Sequence, residues 1–123
     1  MYRISKRMMF SASHRLAHLP PEHKCFRLHG HNYTVEVRLA SIRLDERGFV
    51  ADFAEIGDLL KDVKEHFDHQ DLNEVLGSSF LTTAENLAQY IYHRAYDFPN
   101  LIPFIESVMV SETENTWAEY SER

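Results

Sequence analysis

An α+β fold follows from three features of the sequence. Two long stretches near the N-terminus alternate apolar and polar residues, two helical stripes occupy the middle, and a second alternating pair closes the chain. Strands, then helices, then strands again predict an antiparallel sheet with two helices packed on one face. Residues 2–14 read as the first strand and 31–43 as the second, where Tyr33, Val35, Val37 and Leu39 alternate with Thr34, Glu36 and Arg38. Asp45-Glu46-Arg47-Gly48 reads as a turn, and a short return strand is expected over 48–51. Phe53, Ile56, Leu59, Leu60, Val63 and Phe67 recur at helical spacing and predict an amphipathic helix over 53–67. A second helix is expected to begin at Thr82, whose hydroxyl would cap it while Glu85, three residues on, reaches back. Leu87, Ala88, Ile91 and Ala95 form its apolar stripe, and 105–113 with 115–120 predict the closing pair of strands.

With 123 residues, the chain is long enough for one core and too short for two, so a single domain over 1–123 is expected. Apolar residues make up 44% and charged residues 26%, as in ordinary globular proteins. The formal charge of −6 argues against a general grip on nucleic acid, whose phosphates need a basic face. No apolar run reaches the length of a membrane helix and no signal-peptide core is visible, so no membrane partner is expected. A single cysteine cannot form an internal disulfide, which points to the reducing cytoplasm.

The chemistry concentrates in one stretch, which holds His14, Cys25, His29 and His31. Residues i and i+2 of a strand point the same way, so His29 and His31 project together, and Gly30 between them admits close backbone approach. Phe10, Ala12 and His14 share one parity on the first strand, which can supply a third imidazole. Three neutral imidazoles leave a tetrahedral Zn²⁺ with one open position, the mark of a catalytic zinc. A structural zinc site usually takes two or more cysteines in close pairs, and this chain has one. His18, His23, His66 and His93 read as surface or hydrogen-bonded histidines.

The run His14-Arg15-Leu16, then Cys25-x-x-x-His29-Gly30-His31-Asn32-Tyr33, resembles the 6-pyruvoyl-tetrahydropterin synthase family. Further matches follow in order at Val50-Ala51-Asp52-Phe53, Asp68-His69, Thr83-Ala84-Glu85-Asn86 and Val108-Met109-Val110-Ser111-Glu112-Thr113, so the resemblance spans about Met8 to Thr113. The three residues between Cys25 and His29 resemble the 6-carboxy-tetrahydropterin synthase branch of the queuosine pathway, since the pyruvoyl-forming branch has a longer gap there. The resemblance implies the tunnelling fold, an antiparallel sheet with two helices on one face whose subunits join edge to edge into a barrel. It implies a homo-oligomer, a trimer or a hexamer of two stacked trimers. Barrel closure would also remove the exposed edges of the long strands.

The resemblance further implies a small-molecule substrate, 7,8-dihydroneopterin triphosphate, with Zn²⁺ held by His14, His29 and His31. Cys25 is then the general base, and Asp68 orients His69, which works with the cysteine. On residues alone, Asp68-His69 reads as a polar helix end. Glu112 is implied as the pterin anchor, because a carboxylate accepts two parallel N–H donors from the 2-amino-pyrimidinone edge. Thr83 and Glu85 match positions lining the pterin pocket, and for Glu85 the helix-capping role remains a rival. His23, Lys24 and Arg27 could hold a polyphosphate near Cys25, and they fit an ordinary solvated loop equally well. The activity implied is a lyase forming 6-carboxy-5,6,7,8-tetrahydropterin with release of acetaldehyde and triphosphate. A synthase stopping at the 6-pyruvoyl product and a non-catalytic pterin-binding relative are the alternatives.

Overall fold

The structure, a computed structural model, describes residues 1–122. Its elements in order are β1 (Tyr2–His14), β2 (His29–Ser41), α1 (Phe53–Phe67), β3 (Gln70–Asp71), α2 (Leu72–Leu76), α3 (Ala84–Arg94), β4 (Ile105–Thr113) and β5 (Thr116–Tyr120). Short 3₁₀ turns occupy Lys24–Phe26 and Ala95–Asp97. The sheet order is β3-β1-β2-β4-β5. β1, β2, β4 and β5 pair antiparallel as expected, while β3 runs parallel to β1 through Ala12↔Gln70 and Ser13↔Asp71. The sheet is therefore mixed, and β3 with α2 are additions to the sequence reading.

Alternation decides which face is covered. Phe10, Tyr33, Val35, Val37, Leu39, Val108 and Val110 are buried on one side, facing Ile56, Leu59, Leu60, Val63 and Phe67 of α1 and Leu87, Ala88 and Ile91 of α3. Each fully buried Val, Leu, Ile or Phe among them contributes roughly 1.5–3 kcal/mol. Phe10 stacks on Tyr33 with ring centroids 4.9 Å apart, joining β1 to β2 beneath the histidines.

Local chemistry sets the ends of the elements. Asp52 caps α1, its carboxylate accepting the N–H of Ala54 at 2.9 Å. The return strand expected over 48–51 does not form, and Asp45 explains why. Its Oδ1 accepts the N–H groups of Arg47 (2.8 Å) and Phe49 (3.0 Å), while its own N–H donates to the Phe49 carbonyl. The chain closes on itself there, with Gly48 at φ 85°, and leaves no extended backbone to pair. The α3 cap also differs by one residue from expectation. Thr83 is the cap, accepting the N–H of Asn86 at 3.2 Å, and Thr82 is fully buried for another purpose. Glu85 consequently sits in the first turn of α3, exposed rather than folded back on the cap.

Candidate metal and pterin site

Register brings the three histidines together. His14 ends β1 directly opposite His29 at the start of β2, and Ala12 stands opposite His31. All three side chains share the helix-covered side of the sheet, and their ligating atoms lie within 4.8 Å of one another. Backbone carbonyls settle which nitrogen is free on two of them. A carbonyl oxygen only accepts, so His14 Nδ1 donates to Thr82 O at 2.8 Å and His29 Nδ1 to Arg27 O at 2.7 Å. Each Nε2 is left as the lone-pair atom, the arrangement in which a second hydrogen bond orients a metal-ligating imidazole.

His14 is only 1% exposed, and its Nε2 makes no hydrogen bond. The nearest partner is Glu112 Oε2 at 3.3 Å, which is also 3.4 Å from His31 Nε2. A bare nitrogen lone pair facing a carboxylate oxygen calls for a cation between them. The donor set thus fits a borderline-soft divalent metal such as zinc. A proton between them would act in the same sense: hydrogen-bonded from His14 and facing a charged His31, the Glu112 carboxyl is held below the usual carboxylate range against the opposing effect of desolvation. Desolvation, partly offset by Glu112, pulls His31 below the usual imidazole range and favours its neutral, ligating form. Tyr33 packs edge-on under His14 and His31, and burial raises its phenol far above the ordinary value.

Two residues to which the sequence reading gives no part in the site support the centre. The Thr82 hydroxyl lies 3.2 Å from His14 Nδ1, beside the carbonyl contact. Asn73 clamps the chain just after His14: its Oδ1 accepts Arg15 N–H at 2.8 Å, and its Nδ2 donates to Arg15 O at 3.1 Å. Asn73→Ala leaves both Arg15 backbone groups without that partner. We expect a loss of about 1–3 kcal/mol in chemical denaturation, the cost of part-buried groups left unpaired. An unchanged denaturation midpoint would show that water replaces the clamp.

Asp68 and His69 sit at the corner between α1 and β3. The Asp68 carboxylate accepts Ser11 N–H at 2.9 Å and lies 3.1 Å from His69 Nδ1, so the adjacent pair does interact. The Ser11 hydrogen bond, with help from His69, holds the Asp68 carboxyl below its ordinary range. His69 adopts φ 59°, an uncommon conformation for a side chain other than glycine, pinned by its N–H donating to Ser11 O at 2.6 Å. Its imidazole is 82% exposed. It lines a cleft of about 510 Å³ that also reaches His31, and Cys25 is not among the residues lining that cleft.

Cys25 is half-buried in the 3₁₀ turn of the β1–β2 loop. Its N–H donates to His23 Nδ1 at 3.0 Å, and its carbonyl accepts Leu16 N–H at 2.8 Å, which ties the loop to the chain two residues past His14. His23 is therefore partly engaged, while Lys24 and Arg27 are exposed. Arg15 stacks its guanidinium over Phe26 at 4.5 Å, and its buried Nε makes no hydrogen bond.

Glu112 and Glu85 line one cleft of about 260 Å³ with Trp117. Glu112 and His31 also line a neighbouring cleft of about 550 Å³ with Arg7 and Asn32. Glu112 thus stands between the histidines and both openings. Thr83 spends its hydroxyl oxygen on the α3 cap. A Cβ at Gly30 would meet Ala12 O at 3.5 Å, an ordinary contact, so strand packing alone does not demand the glycine. Its bare position instead borders both clefts that reach His31. A further cleft of about 600 Å³ lies elsewhere, around Arg43, Asp45 and Asp52.

Sheet, helices and histidine centre place the chain among α+β proteins built around a site able to hold a metal. The chain belongs to the 6-pyruvoyl tetrahydropterin synthase family, a family of enzymes, whose profile matches residues 3–123. A 6-carboxy-5,6,7,8-tetrahydropterin synthase from Synechocystis sp. is 38% identical, covering 98% of this chain and 93% of that protein. A 6-pyruvoyl tetrahydrobiopterin synthase from Dictyostelium discoideum is 33% identical, covering 95% and 93%. The solved 6-pyruvoyl tetrahydropterin synthase of Caenorhabditis elegans superposes with a TM-score of 0.88 at 25% identity, covering 99% of this chain and 96% of that one. Among the described residues, no helix is long and apolar enough to cross a membrane.

Proposed function

We propose that the protein is a zinc-dependent lyase that converts 7,8-dihydroneopterin triphosphate to 6-carboxy-5,6,7,8-tetrahydropterin, releasing acetaldehyde and triphosphate, in queuosine (7-deazaguanine) biosynthesis. The observation that carries the metal reading is the buried, unpartnered His14 Nε2 facing the Glu112 carboxylate beside His31. His14, His29 and His31 hold the zinc, which as a Lewis acid would ease proton removal beside the substrate's side-chain oxygens. Cys25 takes a proton from the side chain, as a thiol beside a cation ionises readily. Asp68 fixes the orientation of His69, which exchanges protons from the cleft it shares with His31. Glu112 accepts the paired N–H donors of the pterin, with Glu85 lining the same cleft and Thr83, just before it in the chain, as the cap of α3. Lys24 and Arg27, exposed beside Cys25, with His23, could hold the triphosphate on this acidic chain, and they fit an ordinary solvated loop equally well.

The branch choice rests on the three-residue spacing between Cys25 and His29. The similarity to the Dictyostelium protein keeps the 6-pyruvoyl product as the second reading. Substrate labelled with carbon-13 in its side chain separates the two. We expect two labelled carbons to leave as acetaldehyde and one to stay on the ring. All three carbons retained in the pterin product would contradict the 6-carboxy assignment.

Assembly belongs to the same proposal. Only Ala12 and Ser13 of the outer edge of β1 pair with β3, and β5 ends the sheet order on the other side. Copies of the chain joined at these edges would cover the unpaired backbone and bring neighbouring residues to the exposed His69. We expect a trimer or hexamer in light scattering, and a monomer at micromolar concentration would contradict this arrangement.

A further inference from the structure

We infer that Glu112 is a switching ligand: it completes the metal's coordination in the resting protein and leaves it when it takes the pterin head. The inference rests on the metal and pterin reading above and adds a coupling between them. Its basis is distance. Two ligands of a tetrahedral zinc with bonds of 2.0–2.2 Å stand about 3.3–3.5 Å apart. Glu112 Oε2 is 3.3 Å from His14 Nε2 and 3.4 Å from His31 Nε2, the spacing of atoms sharing one metal rather than of a directed hydrogen bond. With His29, whose ligating nitrogen lies within 4.8 Å of those of His14 and His31, they supply four candidate donors.

The position of the residue in the fold supplies the second half. Glu112 lies near the end of β4, on the same face as Val108 and Val110, and just before the turn into β5. It lines both the cleft holding Glu85 and Trp117 and the cleft holding His31 and Arg7. One side chain therefore borders the metal centre and the space open to a ligand, and rotation about its own bonds carries the carboxylate from one to the other. A carboxylate cannot serve a metal at Oε2 and present both oxygens to two parallel N–H donors at once. Recognition of the pterin and release of the fourth metal position are then a single event. Such coupling keeps the metal closed until the correct ring arrives, which favours specificity over idle reactivity.

Cobalt(II) substitution tests this without turnover. In the wild-type protein, the four-ligand centre should show intense tetrahedral visible bands. Glu112→Ala should lower their intensity several-fold and weaken cobalt binding at least tenfold in chelator competition. Glu112→Gln, which keeps the side-chain shape, should fall in the same direction. Saturating unsubstituted pterin, which has no side chain to reach the metal, should move the wild-type spectrum to that of Glu112→Ala and leave the alanine variant unchanged. Identical cobalt spectra and affinities in wild type and both variants would overturn the inference while leaving the histidine site intact. A wild-type spectrum indifferent to bound pterin would overturn the switch. Failure of the wild-type protein to bind cobalt or zinc at all would overturn the inference and the metal reading together.

Discussion

A His14→Ala variant should lose nearly all of its zinc. His14 is the most buried of the three imidazoles, and the only one contributed by β1. Removing it leaves two ligands on β2, and the Thr82 carbonyl loses the N–H it accepts at 2.8 Å. Outer-shell partners alone typically account for 10–100-fold in metal affinity, so loss of a ligand should exceed roughly a hundredfold. Elemental analysis of purified protein should read about one zinc per chain in the wild type and a small fraction of that in the variant. His66→Ala is the matched control, since His66 is exposed on α1 and should leave zinc content unchanged. Full zinc retention in His14→Ala would remove it from the ligand set.

Cys25→Ala should separate chemistry from structure. The cysteine is half-buried in a short turn, and the contacts that hold the loop run through its backbone N–H and carbonyl. Alanine keeps both, so fold and zinc content should survive. Turnover of dihydroneopterin triphosphate should fall by at least roughly a hundredfold, the usual effect of removing a positioned base. Near-normal turnover would move the base role elsewhere, with His69 next in line because Asp68 orients it along the cleft that reaches His31.

The sequence made the near parts of this site legible and hid the distant ones, for physical reasons. His29 and His31 could be paired from period-two geometry alone, and His14 joins them because the register sets it opposite His29. That register follows from the alternation of Phe10, Ala12 and His14 against Tyr33 and Val35, since a one-residue slip would expose the whole apolar set. Helix α1 over 53–67 was equally legible, because its stripe is regular and Asp52 caps it. Thr82 and Asn73 gave no local signal of their role. Their partners His14 and Arg15 lie 68 and 58 residues away in sequence, and adjacent threonines at 82 and 83 left the cap ambiguous by one residue. The corner at His69 was equally hidden, because its backbone is held by Ser11 on another strand. The family resemblance implies a pterin anchor at Glu112, and its closeness to two of the histidines appears only once β4 lies beside β2.

On the proposed function, pterin chemistry depends on a metal held by His14, His29 and His31. The most direct measurement compares metal-stripped and zinc-reloaded protein with 7,8-dihydroneopterin triphosphate, reading the pterin products by mass spectrometry. Stripped protein should give no product above background. Adding one equivalent of zinc should restore 6-carboxy-tetrahydropterin formation in the wild type and not in His14→Ala. Equal product from stripped and reloaded protein would contradict that dependence.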